Sequence, residues 1–92
     1  MVTAFVLVSA NRRAVNETAE ALLLIDGVAE VHSVAGERDL VAVVRIKSHE
    51  QLADIVTNRM LKLEGIQSTM TLVSFKCISK LDLEKIFLPA AK

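Results

Sequence analysis

The chain opens on a strand-length run of mostly apolar residues, with Thr3 and Ser9 as its polar positions. In Val2-Thr3-Ala4-Phe5-Val6-Leu7-Val8-Ser9 one set of alternate positions is Val2, Ala4, Val6 and Val8, and the other is Thr3, Phe5, Leu7 and Ser9. A period of two predicts a strand, and apolar side chains on both faces predict a strand in the middle of a sheet, covered by helices on one side and by something else on the other. The period then changes. After Asn11, whose side chain suits a helix N-cap, Val15, Ala19 and Leu22, with Leu23 and Ile25 at the margin, recur at helical spacing; Arg13, Asn16, Glu17 and Glu20 fall largely opposite. This predicts a helix over about residues 12–25, with Gly27 in the left-handed position after its end. Apolar, β-branched runs over 28–35 and 40–47, on either side of Gly36-Glu37-Arg38-Asp39, predict a strand, a turn and a strand. Ser48 with Gln51 three residues later is a capping-box pattern, and Leu52, Ile55, Val56, Met60 and Leu63 form the stripe of a second helix ending at Gly65. Residues 66–77 predict a long fourth strand, with Thr69, Thr71, Val73 and Phe75 on one face and Ser68, Met70, Leu72 and Ser74 on the other. Residues 81–87 read as a short helix or arm and 89–92 as a frayed end.

An internal duplication arranges these elements. A shift of 38 positions brings Asp26-Gly27-Val28 onto Glu64-Gly65-Ile66, Val2 onto Leu40, Leu22 onto Met60 and Ile25 onto Leu63. Each half reads strand, helix, strand. Two right-handed βαβ units interleaved in one sheet predict an α+β, ferredoxin-like βαββαβ sandwich, a four-stranded antiparallel sheet with two helices on one face. The other face would be bare, displaying Phe5, Leu7 or their opposite-facing neighbours.

Composition sharpens that point. At 92 residues the chain is one domain, yet 52% of it is apolar and its three aromatic residues are all Phe. A domain this small leaves a large part of its surface outside its own core, so the apolar surplus predicts burial between subunits, with sheets facing across a homodimer. The expected organisation is a folded domain over 1–78 followed by a C-terminal arm over 79–92. Eleven basic and eleven acidic side chains balance, with no dense run of either sign and no Trp or Tyr. Neither the cationic footprint of a duplex binder nor a stacking platform for single strands is visible. The apolar run at the N-terminus is too short for a signal peptide or a membrane span, so no membrane association and a cytoplasmic location are expected.

Candidate chemistry is sparse. Cys77 stands alone, expected as a buried reduced thiol, and His32 and His49 are the only imidazoles. They lack carboxylates at ligand spacing, so no metal site is expected, and Cys77 and His32 form no recognisable nucleophilic arrangement, so no catalytic residue is assigned. No cofactor is implied. Asn11-Arg12-Arg13 lies where a phosphate loop would sit but lacks the glycines that let amides close around an anion. The Gly36 to Asp39 turn is more suggestive. Gly36 can take positive φ and expose its amide, and Asp39 can accept hydrogen bonds from turn amides; the same residues also serve if they merely reverse the chain.

With the elements placed, V-A-E-V-H-S-V-A-G-E-R-D-L-V-A-V-V-R-I resembles the strand, G-x-x-D turn and strand of the effector-binding (RAM) domain of the Lrp/AsnC family of transcriptional regulators. L-K-L-E-G-I-Q-S-T-M-T-L-V resembles that family's helix end, Gly-Val step and Thr-x-Thr strand, and the tail S-K-L-D-L-E-K-I-F is similar to the ending of its stand-alone members. The chain departs from the pattern at Ala35, where a Thr often precedes the turn glycine, and at Glu64, where a Pro is common. The resemblance implies a dimer of the dimeric α/β-barrel type that assembles further, often into a tetramer of dimers, with an amino-acid effector held between dimers near the turn. Carried over by position, it nominates Gly36, Glu37, Arg38 and Asp39, with Thr69 and Thr71 as weaker candidates. Full-length members carry a helix-turn-helix domain ahead of this module, whereas here the first strand follows Met1 directly. The expectation is therefore a stand-alone sensor, not binding nucleic acid itself, whose state is read by protein partners such as full-length regulators of the family. A small dimeric α/β-barrel enzyme and a purely structural assembly module are the alternative readings.

Overall fold

The structure, a computed structural model, describes residues 1–80. Within them run β1 (Val2–Ala10), α1 (Val15–Leu23), β2 (Val28–Ser33), β3 (Leu40–Ile46), α2 (His49–Asp54) and β4 (Ile66–Val73). Every pairing is antiparallel and the strand order is β2-β3-β1-β4, so the two halves interleave as the duplication requires. The fold is the ferredoxin-like βαββαβ sandwich. Its repeat holds at every strand start: Val2 and Leu40 open β1 and β3, and Val28 and Ile66 open β2 and β4.

Local chemistry adjusts the predicted boundaries. Asn11 Oδ1 accepts the Arg13 amide at 3.0 Å, but the turn it caps, Arg12–Ala14, is 3₁₀, and the α-helix begins only at Val15. At the other end the Leu24 and Ile25 amides reach back to the Ala21 and Leu22 carbonyls, tightening the last turn and ending α1 at Leu23, short of the predicted Ile25. Gly27 does not sit directly after the helix. It occupies the third position of a turn closed by the Val28 amide on the Ile25 carbonyl at 3.1 Å, where its φ of +99° suits glycine. Ser48 Oγ accepts the Gln51 amide at 3.2 Å, while Gln51 Oε1 takes the Lys47 amide at 2.8 Å, a capping box displaced by one residue.

α2 then widens into a π-helical segment, Ile55–Met60, in place of the continuous helix expected to Gly65. A wider turn brings residues five apart onto one side, so Ile55 and Met60 are both buried. On its outer side Asp54 Oδ1 accepts Asn58 Nδ2 at 2.8 Å and Oδ2 accepts Arg59 Nε at 3.4 Å. The hydrogen bond from Asn58, together with Arg59, holds the Asp54 carboxyl below its ordinary pKa.

Alternation in β1 sorts its side chains as predicted. Ala4, Val6, Val8 and Ala10 are buried with Leu40, Ala42, Val44 and Ile46 of β3, beneath Leu22, Leu52, Ile55 and Met60. Leu23, at the margin of the predicted stripe, points to solvent. On the opposite face Phe5 pairs with Val43 and Leu72, and Leu7 with Val41 and Met70, giving an apolar surface that no element among the described residues covers. Phe5, Met70 and Leu72 are 39%, 48% and 51% exposed.

β4 is shorter than predicted. Its last ladder bond runs from the Ser74 amide to the Thr3 carbonyl at 2.8 Å, and beyond that β1 has almost no backbone left to pair with. Phe75 and Ile78 are consequently exposed, and Cys77 is a free, exposed thiol, not the buried one expected. The predicted arm over 81–87 and frayed end over 89–92, most of the expected 79–92 segment, lie outside the described residues.

The second repeat glycine, Gly65, is required by proximity: a Cβ there would collide with Oγ1 of the buried Thr18 in α1. Gly65→Ala is therefore expected to cost about 1–3 kcal/mol in urea denaturation. Adding Thr18→Ala should recover part of that loss, a non-additivity readable in a double-mutant cycle.

Candidate functional site

The β2–β3 connection is the least regular part of the sheet. β2 ends at Ser33, two residues before the predicted Ala35, because β3 begins only at Leu40 and the intervening residues 34–39 leave the ladder. The Val34 amide closes this loop on the Asp39 carbonyl at 3.0 Å, and Gly36 turns it with a φ of +140° in open space. Crowding does not demand a glycine there; the backbone conformation does. Among the described residues, the amides of Gly36, Glu37 and Arg38 have no hydrogen-bond acceptor in the fold.

Asp39 fastens this loop to the sheet. β1 outruns β3 at this end, since Val8 faces Leu40 and Ala10 has no β3 residue opposite. The Asp39 amide donates to the Val8 carbonyl at 3.0 Å, and its Oδ2 accepts the Ala10 amide at 2.8 Å, replacing the missing strand. Arg38 crosses the other way. It is half-buried, and its Nη1 donates to Ser9 Oγ on β1 at 3.3 Å and to Ser68 Oγ on β4 at 3.2 Å. No carboxylate lies within ion-pair distance of it among the described residues.

The loop separates two hollows. On the open face of the sheet one of about 390 Å³ is floored by Leu7, Val41 and Met70 and walled by Val34 and Ala35, with Gly36, Glu37 and Arg38 at its edge. Over the β1–α1 junction a more polar one of about 450 Å³ lies between Gly36, Glu37 and Asp39 on one side and Asn11, Arg12, Arg13 and Gln67 on the other. The four nominated loop residues are thus brought together. Thr69 and Thr71 are not with them: they alternate with Met70 and face the helical layer, where Thr71 lines a separate depression with His49, Leu52 and Val56. Sequence reasoning nominated Arg38 but missed Ser9 and Ser68, whose only signal was their place on the same face of neighbouring strands. His49 is exposed, and His32, also exposed, contacts Glu30 at 3.1 Å. No group of three or more metal-ligating side chains occurs among the described residues.

This is a ferredoxin-like domain with an irregular hairpin loop framing small, partly polar hollows. The chain belongs to the Lrp/AsnC ligand binding domain family, whose model matches residues 3–81. An uncharacterised HTH-type transcriptional regulator of Pyrococcus horikoshii is 41% identical over 64 residues, 70% of this chain but 43% of that protein's length. The chain thus spans less than half of the curated relatives it matches. Among solved structures, a Thermus thermophilus protein is 45% identical with a TM-score of 0.82, covering 87% of this chain and all of that one. A transcriptional regulator of Neisseria meningitidis, determined as a complex with L-Met, shares the fold at 20% identity with a TM-score of 0.77, covering 85% of this chain and 52% of that one. The family is one of transcriptional regulators, not enzymes.

The Asp39 contact yields a prediction. Asp39→Ala leaves the amide of the buried Ala10 without its acceptor, a loss of about 1–2 kcal/mol, and should lower Tm by ~5–10 °C in calorimetry. Asp39→Asn keeps an acceptor oxygen and should retain most of that stability.

Proposed function

We propose that this chain is an amino-acid-sensing and oligomerisation module that binds a small effector at the Gly36 to Asp39 loop, between dimers, and acts through protein partners of its own family. The observation that carries the reading is the bare apolar sheet face running up to a loop with unpartnered amides and an unpaired guanidinium. An uncovered face of Phe5, Leu7, Met70 and Leu72, with Phe75 and Ile78 exposed beyond the end of β4, is the kind of surface a second copy covers. Seams between copies then bring two or more such loops together. A free amino acid carries a carboxylate and an ammonium, and amide donors beside Arg38 and Glu37 offer partners for both. Family membership and the L-Met complex of the Neisseria meningitidis regulator support the class of effector. Thr69 and Thr71 look onto the helical layer instead, so the proposal centres on the loop.

Two measurements test it. Sedimentation velocity at micromolar concentration should give a dimer or larger, and Leu7→Lys, which places a charge on the bare face, should shift the protein toward the monomer with unchanged far-UV circular dichroism. A wild-type protein that sediments as a monomer removes the seams and the proposal with them. Thermal shift against the twenty amino acids should then identify at least one that raises Tm; at a hundredfold excess over Kd the stabilisation is about 2.7 kcal/mol.

A further inference from the structure

A strand at the end of a sheet carries a row of main-chain donors and acceptors without partners, and the two ends of this sheet differ in how they are guarded. β2, at one end, is six residues long, its register slips between Val28 and Glu30, and Glu30 and His32 stand on it. A short, bulged, charged edge discourages a further strand. β4, at the other end, has none of these guards from Ser68 onward: its register with β1 shifts only beyond that point, between Ser9 and Ala10, and no charged side chain occurs between Glu64 and Lys76. The Ser74 amide donates to the Thr3 carbonyl, so Leu72, Met70 and Ser68, at alternate positions, turn their N–H and C=O groups to β1. Thr69, Thr71 and Val73 turn theirs outward, where no described residue meets them.

This stretch also reads nearly alike in both directions. About Thr71 at its midpoint, Ser68 mirrors Ser74, Thr69 mirrors Val73 with the same branched shape, and Met70 mirrors Leu72. An antiparallel strand of the same sequence laid beside it opposes like with like. We propose that β4 of a second copy occupies this edge, antiparallel, with the two-fold axis through Thr71, a contact separate from the sheet face and independent of any effector. Thr69 then lies opposite the partner's Val73 and Thr71 opposite the partner's Thr71, each pair exchanging hydrogen bonds between outward-turned groups. On the open face Met70 and Leu72, each half exposed in the single chain, meet across the seam. A slip by one residue sets free groups against groups already bonded to β1, and a slip by two sets Leu72 against Ser68 or Met70 against Ser74. Because β2 is guarded, the pairing closes at two copies instead of running on into a fibre.

Hydrogen exchange read residue by residue, sedimentation velocity and disulfide trapping test this contact. In samples concentrated enough to associate, the Thr69, Thr71 and Val73 amides should exchange at least about tenfold more slowly than in dilute samples, while those of Met70 and Leu72, already bonded to β1, change less. Thr71→Pro removes an outward donor and none that β1 uses, and should lower the assembled mass by at least about half. In the Cys77→Ser background, Met70→Cys mixed with Leu72→Cys should be trapped as a disulfide between unlike copies, with little from either variant alone, since these positions form a close, non-hydrogen-bonded pair. Exchange at the three outward amides that does not depend on concentration overturns the proposal, whether fast, as on an open edge, or slow, as beneath a strand of the same chain or of another molecule. Association undiminished in Thr71→Pro confines the copies to contact through the sheet face and overturns it too, leaving the amino-acid reading intact. Trapping of Met70→Cys or Leu72→Cys chiefly with itself moves the axis off Thr71, and no trapping at all denies the seam; either result overturns the pairing. Both positions are exposed, so trapping decides the matter even where Thr71→Pro fails to fold.

Discussion

Two helices can cover one face of a four-stranded sheet, and here the two central strands are apolar on both faces. β1 and β3 bury Val6, Val8, Leu40 and Val44 against the helices and turn Phe5, Leu7, Val41 and Val43 the other way. The helical side is a complete core; the far side is half of one. At about 25 cal/mol per Å² of apolar surface removed from water, covering that far side is a driving force a small domain rarely leaves unused. The proposed link between fold and function follows from that imbalance: if copies gather on this face, the loop residues gain neighbours.

The irregular hairpin end combines order at its base with accessibility at its tip. Asp39 gives both its amide and its carboxylate to β1, so the base of the loop is as firmly held as a strand. Three residues earlier, Gly36 leaves the ladder in a conformation other residues adopt with strain, and the amides of Glu37 and Arg38 that follow have no partner among the described residues. A rigid foot under an unsatisfied tip would present to a ligand donors whose ordering has already been met by folding. Arg38, tied to Ser9 and Ser68, extends the same arrangement to a side chain.

Much of this is legible from residue patterns. Alternation in β1 identifies its two faces, because a period of two has a direct geometric meaning, and the shift of 38 positions interleaves the halves correctly. Boundaries are less legible where they depend on a partner's length. β4 stops at Val73 because β1 runs out, which nothing within residues 66–77 records, and the burial expected of Cys77 fails for the same reason. The π-helical segment is written in the stripe as the five-residue step from Ile55 to Met60, which an α-helical reading absorbs without notice. At the loop, glycine and aspartate announce themselves by type. The contacts of Arg38 do not, since they depend on registry between strands that lie far apart in the chain.

The duplication bears on how a partner would settle on the bare face. Phe5 and Val43 are equivalent under the 38-residue shift and also sit directly opposite one another in the sheet, so a local dyad pierces the surface at its centre. Seen from outside, half a rotation about that point exchanges Phe5 with Val43, one apolar side chain for another. The likeness ends one step away, where Leu7 falls on Arg45 and Thr3 on Val41, and at the margins, with Glu30 and His32 along β2 and Met70 and Leu72 along β4. Grease on the dyad would supply adhesion but is blind to heading; choosing between the two ways of landing would fall to the charge of Arg45 at one end against Leu7 at the other, and to one charged border and one oily one.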